Sequence, residues 1–76
     1  MNKLTRLQRV REANRNSFNN RILSREDLGS ESRVTGRSIA NYEYGLRCRS
    51  ANTRRLIAFH LGVSERSLWN KGGFAK

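Results

Sequence analysis

The sequence predicts an all-α fold, a compact bundle of five short helices, and three observations carry that reading. Apolar residues recur at helical spacing, and no stretch alternates well enough to make a credible strand. Four of the helical stretches open on a side chain that can cap a helix, and two close on glycine, residues that suit the two ends of a helix. Proline is absent and glycine is modest, at 6 of 76 residues. A chain of 76 residues makes one domain with a thin core. Residues 1–70 are expected to form that domain, and residues 71–76, which include Gly72 and Gly73, a flexible C-terminal tail.

The first helix is marked by Leu4, Leu7, Val10 and Ala13, an apolar stripe with Arg6 and Arg9 off it. The Asn-rich stretch from Asn14 to Asn20 reads as a loop, with Phe18 and Ile22 expected to pin it to the core. A second helix starts at Ser24, with Asp27 placed to complete a capping box and Glu26 and Asp27 favoured by the helix dipole. Leu28 then faces inward, and a break follows around Ser30 to Thr35. Thr35 caps a third helix, Gly36 to Tyr44, with Ile39 and Tyr42 on its buried face and Gly45 as its stop. The stretch Leu46 to Arg49 is a basic loop. Ser50 or Asn52 caps a fourth helix with Leu56, Ile57 and Leu61 inward and Gly62 at its end. Ser64 caps a short fifth helix, Glu65 to Trp69.

The formal charge is +10, from 16 Lys and Arg against 6 Asp and Glu, which points to a polyanionic partner and first to nucleic acid. The charge is unevenly placed: residues 1–23 carry a net +5, residues 24–45 a net −1 and residues 46–76 a net +6. No apolar run approaches the roughly 20 residues that span a bilayer, and the N-terminal residues lack the apolar core of a secretory signal. The expectation is a soluble protein of the cytoplasm. The 1 cysteine, Cys48, excludes an internal disulfide, offers no zinc spacing and is read as inert. His60 stands alone and is read as structural. No nucleophile–base–acid set and no glycine-rich phosphate loop stands out, so neither an enzyme nor a cofactor is expected.

Two short helices joined by a tight turn, followed by arginines, suit the DNA major groove, which is about 12 Å wide and admits one helix. With Ile39 and Tyr42 turned inward, Gly36, Arg37, Ala40 and Asn41 are left on the opposite face. Arg37 matches guanine through two hydrogen bonds, Asn41 matches adenine in the same way, and Ala40 offers a methyl group. Gly36 lets the backbone approach a phosphate at the helix N-terminus.

Residues Ser24 to Gly29 and Val34 to Gly45, continuing through Arg47 to Ser50 and Leu56 to Ser64, resemble the lambda-repressor-like, or Cro/repressor, helix-turn-helix family of phage type. The likeness covers residues 24–69 without a gap, and Leu4 to Asn14 resembles the family's first helix. The resemblance implies a five-helix fold, operator DNA in a bacterial host as ligand, a role in transcription regulation and often a two-fold homodimer. It places Gly36, Arg37, Ala40 and Asn41 at base-reading positions. It places Arg25, Thr35, Ser38, Arg47, Arg49 and Asn52 among phosphate contacts, with Arg54 and Arg55 weaker candidates. Two residues depart from the pattern. Arg33 stands where glycine is usual, which demands positive φ of a side-chain-bearing residue, and Ser32 stands where the family is apolar.

The segment Arg15 to Ile22 reads as an insertion: a long surface loop first, and second an arm that touches DNA through Arg15 and Arg21. Glu43, near the C-terminal end of its helix, calls for a partner such as Arg47 or Arg54. Trp69 and Phe74 are the expected apolar residues of a dimer interface. Two other functions fit a small basic helical chain. One is an antitoxin-type protein-interaction module, for which a toxin-binding segment is wanting. The other is an RNA- or ribosome-binding protein, against which stands the scarcity of aromatics free to stack on bases.

Overall fold

A side-chain hydroxyl opens each helix in the computed structural model, which describes residues 4–76. Five helices follow in order: α1 (Arg6–Ala13), α2 (Arg25–Glu31), α3 (Gly36–Glu43), α4 (Ala51–Leu61) and α5 (Glu65–Leu68). Thr5, Ser24, Thr35, Ser50 and Ser64 are their caps, and each hydroxyl accepts the backbone N–H three residues on. At Ser24 the Asp27 carboxylate returns a bond from the Ser24 N–H, closing the anticipated capping box. The two isolated bridges among the described residues, Arg15 to Ile22 and Trp69 to Ala75, lie outside the helices.

Three helices end alike. The N–H of Leu46 reaches back to Asn41 O at 2.9 Å, Val63 to Ala58 O at 3.1 Å, and Val34 to Gly29 O at 2.8 Å. Each bond requires a left-handed residue just before it. Glycine supplies it at Gly45 (φ 106°) and Gly62 (φ 71°), whereas α2 uses Arg33 at φ 63°. The strained turn foreseen at Ser32–Arg33 is therefore a helix end built to the same pattern without the glycine.

Leu7, Leu28, Ile39, Ile57 and Leu68 are fully buried and join the five helices in one core. The α1 stripe differs from expectation. The helix starts only after Thr5, so Leu4 stays outside it and exposed, while Arg11 joins Leu7 on the buried face. Ala13 is exposed. Tyr44 and Trp69, expected inside their helices, are instead the C-caps of α3 and α5. Trp69 is 4% exposed and meets Tyr42 edge-on, with ring centroids 5.9 Å apart. It is a core residue, which removes one of the two residues expected at a dimer interface.

Residues 71–76, expected as a flexible tail, are folded back onto the bundle. The N–H of Lys76 donates to Leu68 O at 2.8 Å and that of Arg6 to Lys76 O at 2.6 Å. The N–H of Cys48 donates to Gly73 O at 2.9 Å. Gly73 sits at φ 87°, and a Cβ there would lie 2.7 Å from Cys48 O, so only glycine fits the approach. The radius of gyration, 11.3 Å, matches the roughly 11 Å of a compact domain of this length. No helix among the described residues is long and apolar enough to cross a membrane.

Candidate nucleic-acid interface

Helices α2 and α3 share the most extensive contact among the helix pairs, and two glycines allow their close approach. A Cβ on Gly29 would stand 2.8 Å from Val34 O and from the carbonyl carbon of Thr35. A Cβ on Gly36 would stand 3.0 Å from the backbone nitrogen of Glu26. Gly36, expected to admit a phosphate, is thus already explained by the approach of α2 to the first residue of α3.

The inner face of α3 is Ile39, with no exposed surface, and Glu43, at 3%. The face left over carries Arg37, exposed, and Ala40 and Asn41, half-buried. Glu43 is thus buried beside Ile39, while Tyr42, expected in that place, is half-buried. Thr35 is exposed and Ser38 half-buried. Both hydroxyls take part in the cap, since Thr35 Oγ1 accepts from the Ser38 N–H at 3.1 Å and donates to Ser38 Oγ at 3.1 Å.

Glu43 holds α3 in place, but its partners are neither Arg47 nor Arg54. Arg11 Nε lies 2.5 Å from Glu43 Oε2, and Arg25 Nε lies 2.8 Å from Glu43 Oε1. Arg11 Nη1 also donates to Leu23 O at 2.9 Å. One carboxylate thereby ties together α1, α2, α3 and the segment that enters α2. Arg25, expected to reach a phosphate, is turned to this internal task. Its Nη2 donates to the Tyr44 hydroxyl at 3.0 Å, and the guanidinium lies 5.0 Å from the Tyr44 ring centroid. The bond to Glu43 is the main cause that raises the Arg25 pKa further above its ordinary value. His60 Nδ1 stands 3.6 Å from Glu31, bringing α4 towards the end of α2.

Beyond α3, residues 46–50 belong to no helix, and Cys48 is the buried residue among them. Cys48 is fully buried, its N–H held by Gly73 and its carbonyl by Arg54 Nη1. Arg47 and Arg49, on either side of Cys48, are both exposed. Asn52, exposed in the first turn of α4, follows directly after. Arg37, Arg47 and Arg49 take no part in the ion pairs formed among the described residues.

The segment between α1 and α2 is an ordered hairpin-like loop built by asparagines. Asn14 Nδ2 donates to Val10 O at 2.7 Å, closing α1. Asn16 Oδ1 accepts from the Phe18 N–H at 2.7 Å, and Asn19 Oδ1 accepts from the Arg21 N–H at 3.0 Å. Asn20 takes the left-handed conformation at φ 56°, which asparagine tolerates. Asn16 Nδ2 donates to Asp27 Oδ2 at 2.9 Å, fastening the loop to the first turn of α2. That bond, then those from Ser24, hold the Asp27 carboxyl below its ordinary range. The expected pins are not used: Phe18 is 98% exposed and Ile22 52%, while Leu23 is buried. With Ile22 bridged to Arg15, alternation turns Ile22 outward and Leu23 inward.

Comparison with known proteins yields no relative: no family model, no curated protein and no solved structure matches the chain.

Proposed function

We propose that this chain is a sequence-specific double-stranded-DNA-binding transcription regulator, of the Cro or repressor kind, that lays α3 in the major groove of operator DNA. The observation that carries the reading is the outward face of α3. Its opposite face is locked by Ile39 and Glu43, so Arg37, Ala40 and Asn41 project from a rigid helix, the arrangement that base-edge readout requires. Arg37 pairs with guanine and Asn41 with adenine. The backbone is gripped by Arg47 and Arg49, with Thr35, Ser38 and Asn52 as smaller contributors and Arg25 serving mainly to brace Glu43. The charge pattern supports this division of labour. Residues 24–45 carry a net −1, so affinity for phosphates comes from the flanks at +5 and +6.

The place of action is DNA in the cytoplasm of a bacterial host. Binding as a homodimer to half-sites roughly 34 Å apart belongs to the same reading, but rests on the family resemblance alone, since Trp69 is core. The test is selection of bound sites from random duplex DNA by the whole chain. A recurrent short motif is the expected result. Recovery of unenriched sequence, or competition by RNA equal to that by duplex DNA, would contradict it.

A further inference from the structure

We propose that the loop of residues 15–22 is a second DNA contact, with Phe18 as an apolar wedge in the minor groove beside the site read by α3 and Arg15 and Arg21 on the flanking phosphates. The inference rests on the DNA-binding reading above and adds a part that the resemblance to the helix-turn-helix family does not supply.

The case starts from Phe18. An aromatic ring is a large apolar surface that a chain ordinarily buries, yet this one is 98% exposed in a domain with little core to spare. The exposure is not that of a slack loop. Backbone bonds from Asn16 N–H to Arg21 O at 2.8 Å and from Asn20 N–H to Asn16 O at 2.9 Å close the loop. The Asn16 and Asn19 side chains fix its turn, so Phe18 is carried outward at the tip. Arg15 and Arg21, both exposed, are the charged residues of the segment, and no acid lies between residues 13 and 23. A protruding ring between two cations is complementary to a polyanion with stacked bases. Proteins that enter the minor groove use this pair of devices: arginines for the electronegative groove and an apolar wedge that partly unstacks one base step and bends the duplex.

Position agrees with chemistry. Asn16 is bonded to Asp27, and the neighbouring Glu26 lies against Gly36, the first residue of α3. One turn of α2 therefore carries both the root of the loop and the start of α3, which makes the two elements neighbours.

The test uses the duplex selected by the wild-type chain, with hydroxyl-radical footprinting, bending assayed by circular permutation, and sedimentation. Phe18→Ala is expected to lower affinity about tenfold and to abolish bending and the protection on one flank, while the central footprint and sequence preference persist. The Arg15→Ala/Arg21→Ala double variant is expected to flatten the salt dependence by about two units. Retention of bending, flank and affinity by Phe18→Ala overturns the inference and leaves the role of α3 standing. Loss of self-association in its place assigns Phe18 to a contact between copies and overturns it too. If the wild-type chain selects no duplex site, both readings fall together.

Discussion

Arg11 and Glu43, 32 residues apart in the chain, meet as a buried ion pair, with Arg11 side-chain exposure of 8% and none for Glu43. The pair decides where α3 sits, because the same carboxylate also receives Arg25. A charge taken out of water is tolerated only when its partners satisfy it, so removing one member leaves the other stranded. Glu43→Ala is therefore expected to cost about 3–5 kcal/mol, much of the stability of so small a domain, with far-UV circular dichroism in urea as the readout. Replacing both members by apolar residues, Arg11→Met with Glu43→Leu, should restore a large part of the loss. An unchanged midpoint in Glu43→Ala would mean that the pair does not hold the helix.

The end of α2 carries two residues that suit it poorly. Ser32 is 1% exposed and its hydroxyl finds no partner among the described residues. Arg33 holds φ at 63° where α3 and α4 use glycine. Ser32→Ala removes an unsatisfied polar group and should stabilise by about 1 kcal/mol. Arg33→Gly relieves left-handed strain of about 1–2 kcal/mol and gives part of it back as chain entropy, for a net gain of about 0.5–1 kcal/mol. Thermal unfolding would show each as a rise of several degrees, and a fall for either would refute its account.

The tether between Asn16 and Asp27 is sensitive to acid. The Asp27 carboxyl is held low chiefly by Asn16, so its folded pKa lies below the unfolded one. The stabilisation is fully present above the ordinary carboxylate range and is lost as pH falls through the lowered value. Titration of the Asp27 carboxyl by NMR should find it below the ordinary Asp value in the native chain and closer to it in Asn16→Ala. Coincident titrations would remove Asn16 as the cause.

Gly73 braces the basic loop from behind. With its carbonyl on the Cys48 N–H and no room for a Cβ, Gly73→Ala should free the segment around Cys48. Faster amide exchange at Cys48 and a weaker, sequence-independent loss of DNA affinity are the expected signs. Intact protection at Cys48 would show that residues 71–76 do not support it.

What could be read in advance was local. The caps from Ser24 onward, the glycine stops and the inward Leu28, Ile39, Ile57 and Leu61 all follow from bonds or spacing within one turn or two, where sequence neighbours are spatial neighbours. Arg37 and Asn41 were placed on the free face of α3 by the same logic. What escaped was long-range. Nothing in the spacing around Glu43 says that α1 would deliver Arg11 to it, and Arg25 looked free because its partner is 18 residues away. The docked tail escaped because glycines read as slack, whereas Gly73 is there for a close approach. Phe18 was assigned to the core by its type, but the bridge register gave the inward place to Leu23.

The central claim is that α3 reads bases while the flanking arginines hold phosphates. The most direct measurement compares Arg37→Ala with Arg47→Ala, by binding to the selected duplex and to duplexes mutated one base pair at a time. The account predicts that Arg37→Ala loses discrimination at one base pair, by about 1–3 kcal/mol, and keeps it elsewhere. Arg47→Ala should weaken every duplex alike and flatten the salt dependence by about one unit. An Arg37→Ala chain that ranks all the duplexes as the wild type does would contradict the claim.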